Sequence, residues 1–88
     1  MTKLQLWCDL EDEVTRILKQ RGEFFEDEYD IAEFEIDPIP IRNGTIDGIL
    51  VFSDMTIEFH IKEEGDALNW SLFDIETIEK VLNNLKEI

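Results

Sequence analysis

The chain has few of the residues on which most chemistry is built, and each shortage excludes something. Cys8 is the only cysteine. No intramolecular disulfide can form from it, nor a multi-cysteine metal site, which fits a reducing compartment. The four glycines are scattered, so no glycine-rich phosphate loop exists. The longest apolar run, Ile49 to Phe52, falls far short of the ~20 residues that a membrane helix needs. The first residues lack the charged-then-apolar plan of a signal peptide, because Asp9, Glu11, Asp12 and Glu13 follow at once. A cytoplasmic protein is expected.

Basic residues are the greatest shortage. Eight Lys and Arg stand against 22 Asp and Glu, a net charge of −14 on 88 residues. Self-repulsion of that size keeps a chain soluble and works against its compact state. It opposes direct binding to DNA, RNA or an anionic membrane, which are negative themselves. A basic protein surface or loosely held divalent cations are the favoured partners. The same acidity can also serve solubility alone.

What is present suits one small α+β domain over residues 1–88. The 43% hydrophobic content, with two Trp and six Phe, is enough for a single core. The stretch from Ile46 to Lys62 reads as two strands and a turn. Met55, Ile57, Phe59 and Ile61 alternate with Thr56, Glu58, His60 and Lys62. Ile49 to Phe52 is apolar on both faces, as a central or doubly covered strand is. Ser53-Asp54 is the expected turn, and Gly48 marks a possible bulge site.

Around this hairpin the chain divides as follows. Residues 2–8 fit either a short strand or the start of a long helix with Thr2 and Gln5 as a capping box, and we read the helix, with Leu4, Trp7, Val14 and Leu18 on its face. Asp9 also suits an N-cap, with Glu11, Asp12 and Glu13 at the positive dipole end. Leu10, Val14, Ile17 and Leu18 form a stripe, and Gly22 a left-handed C-terminal cap. Ala32, Phe34 and Ile36 alternate with Glu33, Glu35 and Asp37 in a half-exposed strand that Pro38 and Pro40 are expected to end. Arg42-Asn43-Gly44 signals a turn. A fourth strand is expected over 67–73, with Leu68, Trp70 and Leu72 on one face. Asp74 caps a last helix striped by Ile75, Ile78, Val81, Leu82 and Leu85, with Lys86 near its end. The order is α-β-β-β-β-α, a mostly antiparallel sheet of three or four strands packed by two helices on one face. Leu50, Phe52 and Phe73 then point to the other face, open to loops, a partner or a second copy.

No catalytic or ligand motif stands out. A Cys8–His60 pair has no supporting spacing. Asp47 with Glu58-Phe59-His60-Ile61-Lys62 loosely matches nucleases that set two acids and a lysine on paired strands. His60 stands where their second acid belongs, and the net charge repels the substrate. FEDEYDIAEFEI has no central Gly, so no EF-hand loop is present. No enzyme, cofactor or dedicated metal site is expected.

The remaining candidate is the acidic segment itself: Glu23, Phe24, Phe25, Glu26, Asp27, Glu28, Tyr29, Asp30, Glu33, Glu35 and Asp37. It has eight acids and no base. On a strand, Glu33, Glu35 and Asp37 recur every ~6.6 Å, two rises of ~3.3 Å. Such a row can occupy a groove built for phosphates, with Phe24, Phe25 and Tyr29 as anchors. A solvated face that guards a sheet edge against aggregation has the same composition. In size and charge the chain is similar to small acidic phage and mobile-element proteins that block restriction, repair or CRISPR nucleases by imitating DNA. It is also similar to immunity proteins and antitoxins that neutralise a basic nuclease. The likeness is compositional, so no residue is carried over. It implies a non-enzymatic inhibitor of a nuclease or other nucleic-acid-binding protein. The alternative is a small homodimeric adaptor that uses the sheet face around Leu50 and Phe52.

Overall fold

The computed structural model describes residues 2–23, 25 and 30–88. Its order is α1 (Lys3–Arg21), β1 (Ile31–Ile41), β2 (Gly44–Phe52), β3 (Ile57–Ile61), β4 (Asp66–Asn69), a short 3-10 turn (Trp70–Leu72) and α2 (Ile75–Lys86). The four strands form one antiparallel sheet in the order β1-β2-β3-β4. This is the expected α-β-β-β-β-α domain.

The first helix starts at the earlier of the two possible places. Thr2 Oγ1 accepts from the Gln5 amide at 3.2 Å, and the Thr2 amide donates to Gln5 Oε1 at 2.8 Å. This reciprocal capping box satisfies two end donors, so Asp9 lies inside the helix and is not its N-cap. The buried face is Leu6, Leu10, Val14, Ile17 and Leu18. Leu4 is 72% exposed and Trp7 half-buried, a correction of the expected stripe by a fraction of a turn. Gly22 ends the helix with φ +69° and donates its amide to Leu18 and Lys19. A side chain at that φ would be strained.

The last helix follows expectation except at Ile75, the first residue of the expected stripe, which is exposed in the first turn. Asp74 accepts from the Thr77 amide at 2.7 Å, and Ile78, Val81, Leu82 and Leu85 face inward. Arg16 ties the two helices together. Its guanidinium donates to the Leu85 carbonyl at 3.0 Å and the Ile88 carbonyl at 3.1 Å, while Nε pairs with Glu13 at 2.9 Å. The Leu85 carbonyl, which also accepts from the Ile88 amide at 3.1 Å, is thereby shared between the helix end and α1.

One face of the sheet meets these helices in a single core. It contributes Ala32, Phe34, Ile36 and Ile39 from β1, Ile46, Ile49 and Val51 from β2, and Ile57, Phe59 and Ile61 from β3. Each fully buried side chain of this size is worth roughly 1.5–3 kcal/mol. Phe59, fully buried, also meets the Phe73 ring at 5.1 Å, which places Phe73 against the core and corrects its expected position on the other face. No buried side-chain polar atom among the described residues lacks a partner.

Three expectations about the strands are corrected. β1 does not end at Pro38; it runs through both prolines to Ile41. It can do so because it is an edge strand with an irregularity between Glu35 and Ile39, where Ile36, Asp37 and Pro38 stand against Asp47 alone. The fourth strand stops at Asn69, because Asn69 Oδ1 accepts from the Ser71 amide at 3.0 Å and the Ser71 hydroxyl at 2.7 Å. That turns Trp70–Leu72 into a 3-10 turn, an Asx-type local bond winning over the alternating pattern. Met55 belongs to the β2–β3 turn rather than to β3. The Met55 amide donates to the Phe52 carbonyl at 2.9 Å, and Met55 takes φ +68°. Ser53, Asp54 and Met55 thus form a three-residue hairpin loop that closes on a left-handed residue. The bulge at Gly48 is present, with Asp47 the extra residue against β3.

Candidate functional site

Of the acidic segment, Glu33, Glu35 and Asp37 lie on β1, the edge strand of the sheet. Of its residues, Glu23, Phe25, Asp30, Glu33, Glu35 and Asp37 are described. The anchoring roles of Phe24 and Tyr29, with the carboxylates of Glu26, Asp27 and Glu28, lie outside the described residues. Phe25 is partly buried and packs against the core. Glu33, Glu35 and Asp37 are exposed, alternating with buried Ala32, Phe34 and Ile36 as the sequence requires. None of the three takes part in an ion pair among the described residues.

The backbone phase of β1 follows from two hydrogen bonds. The Phe52 amide donates to Thr56 at 2.9 Å, so even-numbered β2 residues near the turn bond towards β3. The Ser53 amide donates to the Asp30 carbonyl at 3.1 Å, so odd-numbered ones bond towards β1. Backbone groups alternate sides along a strand. In the regular register Ala32↔Val51 and Phe34↔Ile49, the backbones of Ala32 and Phe34 serve the ladder, and those of Ile31, Glu33 and Glu35 face outward. The outward amide of Asp37 is taken by Asn84 Oδ1 at 3.2 Å, a bond from α2 that closes the edge there. Further on, Pro40 pairs with Thr45, whose carbonyl accepts from the amide of Lys62, the residue just after β3. Pro40 therefore has its missing donor on the free side. Among the described residues the edge is open from Ile31 to Glu35 and closed at Asp37.

The sheet face turned away from the core continues this acidic edge. Its cross-strand rows are Ile31–Phe52, Glu33–Leu50–Glu58–Asn69 and Glu35–Gly48–His60–Ala67. Leu50 and Phe52 are half-buried, and Ile31 is 51% exposed. A groove of about 570 Å³ lies here, lined by Arg21, Glu33, Phe34, Glu35, Asp47, Gly48 and His60. The Arg21 guanidinium stands 5.2 Å from the centre of the Phe34 ring.

In that groove the structure shows a contact that sequence reading missed. His60 Nδ1 and Asp47 Oδ1 are 2.6 Å apart, both side chains about one-third exposed or less. The bulge makes it: Asp47, the extra residue before Gly48, is placed beside His60 on the neighbouring strand. Thirteen residues of separation and a mixed polar face concealed the contact, although the hairpin set Asp47 and His60 on paired strands and Gly48 signalled a bulge. A carboxylate against an imidazole can orient a base. No Ser, Thr or Cys lines the groove beside it, and Cys8 is exposed on α1. Among the described residues no three His, Cys, Asp or Glu side chains are grouped to hold a metal ion.

Among the described residues, the carboxyls held below their ordinary range cap turns and a helix. Asp54 is lowered by hydrogen bonds from the Thr56 amide and hydroxyl. Glu63 is lowered by its own amide and the Thr45 hydroxyl. Asp74 is lowered by the hydroxyl and amide of Thr77. Their role is structural, and Glu33, Glu35 and Asp37 stand apart from them with no ion pair among the described residues. No described helix is long and apolar enough to cross a membrane. No protein-family model matches the chain, and neither does any curated protein or solved structure.

Proposed function

We propose that the protein is a non-enzymatic acidic inhibitor that occupies the basic nucleic-acid-binding surface of a partner protein, such as a nuclease of a restriction, repair or CRISPR system, and excludes the nucleic acid. The observation that carries this reading is the placement of Glu33 and Glu35. They stand on an open sheet edge, exposed and without an ion-pair partner among the described residues, and Glu58 joins them on the same face. Carboxylates held on a strand keep a fixed spacing, as phosphates do. The net charge of −14 adds long-range attraction to a basic cleft and speeds encounter. We place this activity in the cytoplasm, in keeping with the single free, exposed Cys8.

Titration into a nuclease with a basic cleft tests the proposal. Inhibition that competes with nucleic acid and weakens as salt rises supports it. Binding insensitive both to salt and to the double reversal Glu33→Lys/Glu35→Lys overturns it. An immunity protein or antitoxin against a basic toxin uses the same surface and is distinguished by protecting cells from that toxin.

A second reading has its own observation. Leu50 and Phe52, half-buried on the face away from the core, adjoin exposed Ile31. A small homodimeric adaptor can bury that patch. Sedimentation separates the two: a dimer broken by Leu50→Asp favours the adaptor, and a monomer counts against it.

A further inference from the structure

We propose that the open half of the β1 edge receives an extended, basic segment of the partner protein as a fifth strand of the sheet. The inference rests on the reading above, that the partner presents a basic surface, and adds how it is held.

The edge has the parts that strand addition requires. Ile31, Glu33 and Glu35 each turn an amide and a carbonyl outward, by the phase that the Ser53–Asp30 bond sets. No proline interrupts them. The opening has a definite end, because Asn84 takes the Asp37 amide at 3.2 Å and the edge beyond is broken by Pro38 and Pro40. An added strand is thus limited to the stretch alongside Ile31 to Glu35.

Charge selects the occupant. The outward backbone positions and the acidic side chains are the same residues, Glu33 and Glu35. A strand laid against them places alternate side chains directly opposite two carboxylates. Lysine or arginine at those positions is attracted. A second copy of this chain, pairing β1 with β1, sets acid against acid. The charge that guards the edge against self-association is therefore also what admits a basic strand.

Two peptides of equal charge test this: one of about seven residues alternating lysine with valine, and the same sequence N-methylated on alternate amides so that it cannot pair as a strand. Amide exchange and nuclear magnetic resonance titration read the result. The unmodified peptide is expected to bind about tenfold tighter and to slow exchange at Ile31, Glu33 and Glu35. Glu33→Pro removes an outward donor without a ladder bond and is expected to weaken that peptide about tenfold more than Glu33→Gln, which removes the charge alone. Equal affinity of the two peptides, or binding without protection at Ile31 to Glu35, overturns strand addition and leaves the acidic-surface reading standing. Binding of neither peptide also overturns it, and the nuclease competition then decides the broader reading. A dimer abolished by Glu33→Pro overturns the choice of a basic partner, since a second copy then fills the edge.

Discussion

The Ser53 amide donates to the Asp30 carbonyl at 3.1 Å, joining the β2–β3 turn to the start of β1. This bond fixes which backbone groups of the acidic strand serve the sheet and which face water. Because side chains and backbone alternate together, the outward groups belong to Ile31, Glu33 and Glu35, the residues whose side chains are exposed. Asn84 stops the opening at Asp37.

That phase predicts an odd–even pattern in amide exchange of the free protein. Ala32 and Phe34 are expected to exchange slowly and Ile31, Glu33 and Glu35 fast, with Asp37 intermediate because Asn84 holds it. Asn84→Ala is expected to bring Asp37 to the rate of Glu33. Slow exchange at Glu33 and fast exchange at Phe34 would contradict the register.

Two glycines with positive φ separate backbone strain from crowding. Gly44 has φ +154°, and a Cβ there would stand 2.8 Å from Glu63 Oε2 and 3.0 Å from Ile61 Cγ2. It would also disturb the Glu63 carboxylate, which accepts from the Thr45 amide at 2.7 Å and the Thr45 hydroxyl at 2.9 Å. Gly22 has φ +69° and open space around it. Gly22→Ala is expected to cost about 1–2 kcal/mol. Gly44→Ala is expected at or above about 2–3 kcal/mol, since strain and crowding add. Urea unfolding of the two variants measures the order, and a costlier Gly22→Ala would refute it.

The α2 cap predicts a pH dependence of definite sign. The Asp74 carboxyl is lowered from 3.8, first by the Thr77 hydroxyl and then by the Thr77 amide. Its charged form is therefore favoured in the folded state. The contribution is fully present above the ordinary aspartate range and is lost as pH falls from about 4 through the lowered folded value. Asn at an N-cap retains the acceptor, so Asp74→Asn removes chiefly the charge. The melting temperature of the native protein is expected to exceed that of the variant by a constant amount from about pH 7 to 5, with the gap closing below about pH 4. A gap that persists to about pH 2 would show that charge is not its source.

Much of this architecture is legible in the sequence because local signals agree. Thr2 with Gln5, Gly22, Asp74 and the stripe from Ile78 to Leu85 each act within a turn or two of chain. The β2–β3 alternation puts Ile57, Phe59 and Ile61 in the core wherever the strand lies in the sheet. The failures come from longer-range facts. Pro38 and Pro40 end a strand only if their missing donors face a neighbour, and strand order decides that. Leu68, Trp70 and Leu72 alternate like a strand, yet Asn69 bends the backbone through its own side chain. For the site, the exposure of Glu33 and Glu35 was readable from period two. The open edge depends on β1 being outermost, and the Asp47–His60 contact depends on how two strands align at a bulge.

The central claim is that the place of the acids on β1, and not the total charge, makes the binding surface. The decisive measurement compares two double reversals with the same change in net charge, Glu33→Lys/Glu35→Lys on β1 and Asp12→Lys/Glu64→Lys at exposed positions on α1 and the β3–β4 turn. Both are titrated against the same nuclease in competition with its nucleic acid. The account predicts that the β1 reversal weakens inhibition by at least about tenfold, roughly 1.4 kcal/mol, while the other pair changes it only about as much as its lost long-range attraction, two- to threefold or less. Equal losses from the two pairs would contradict it.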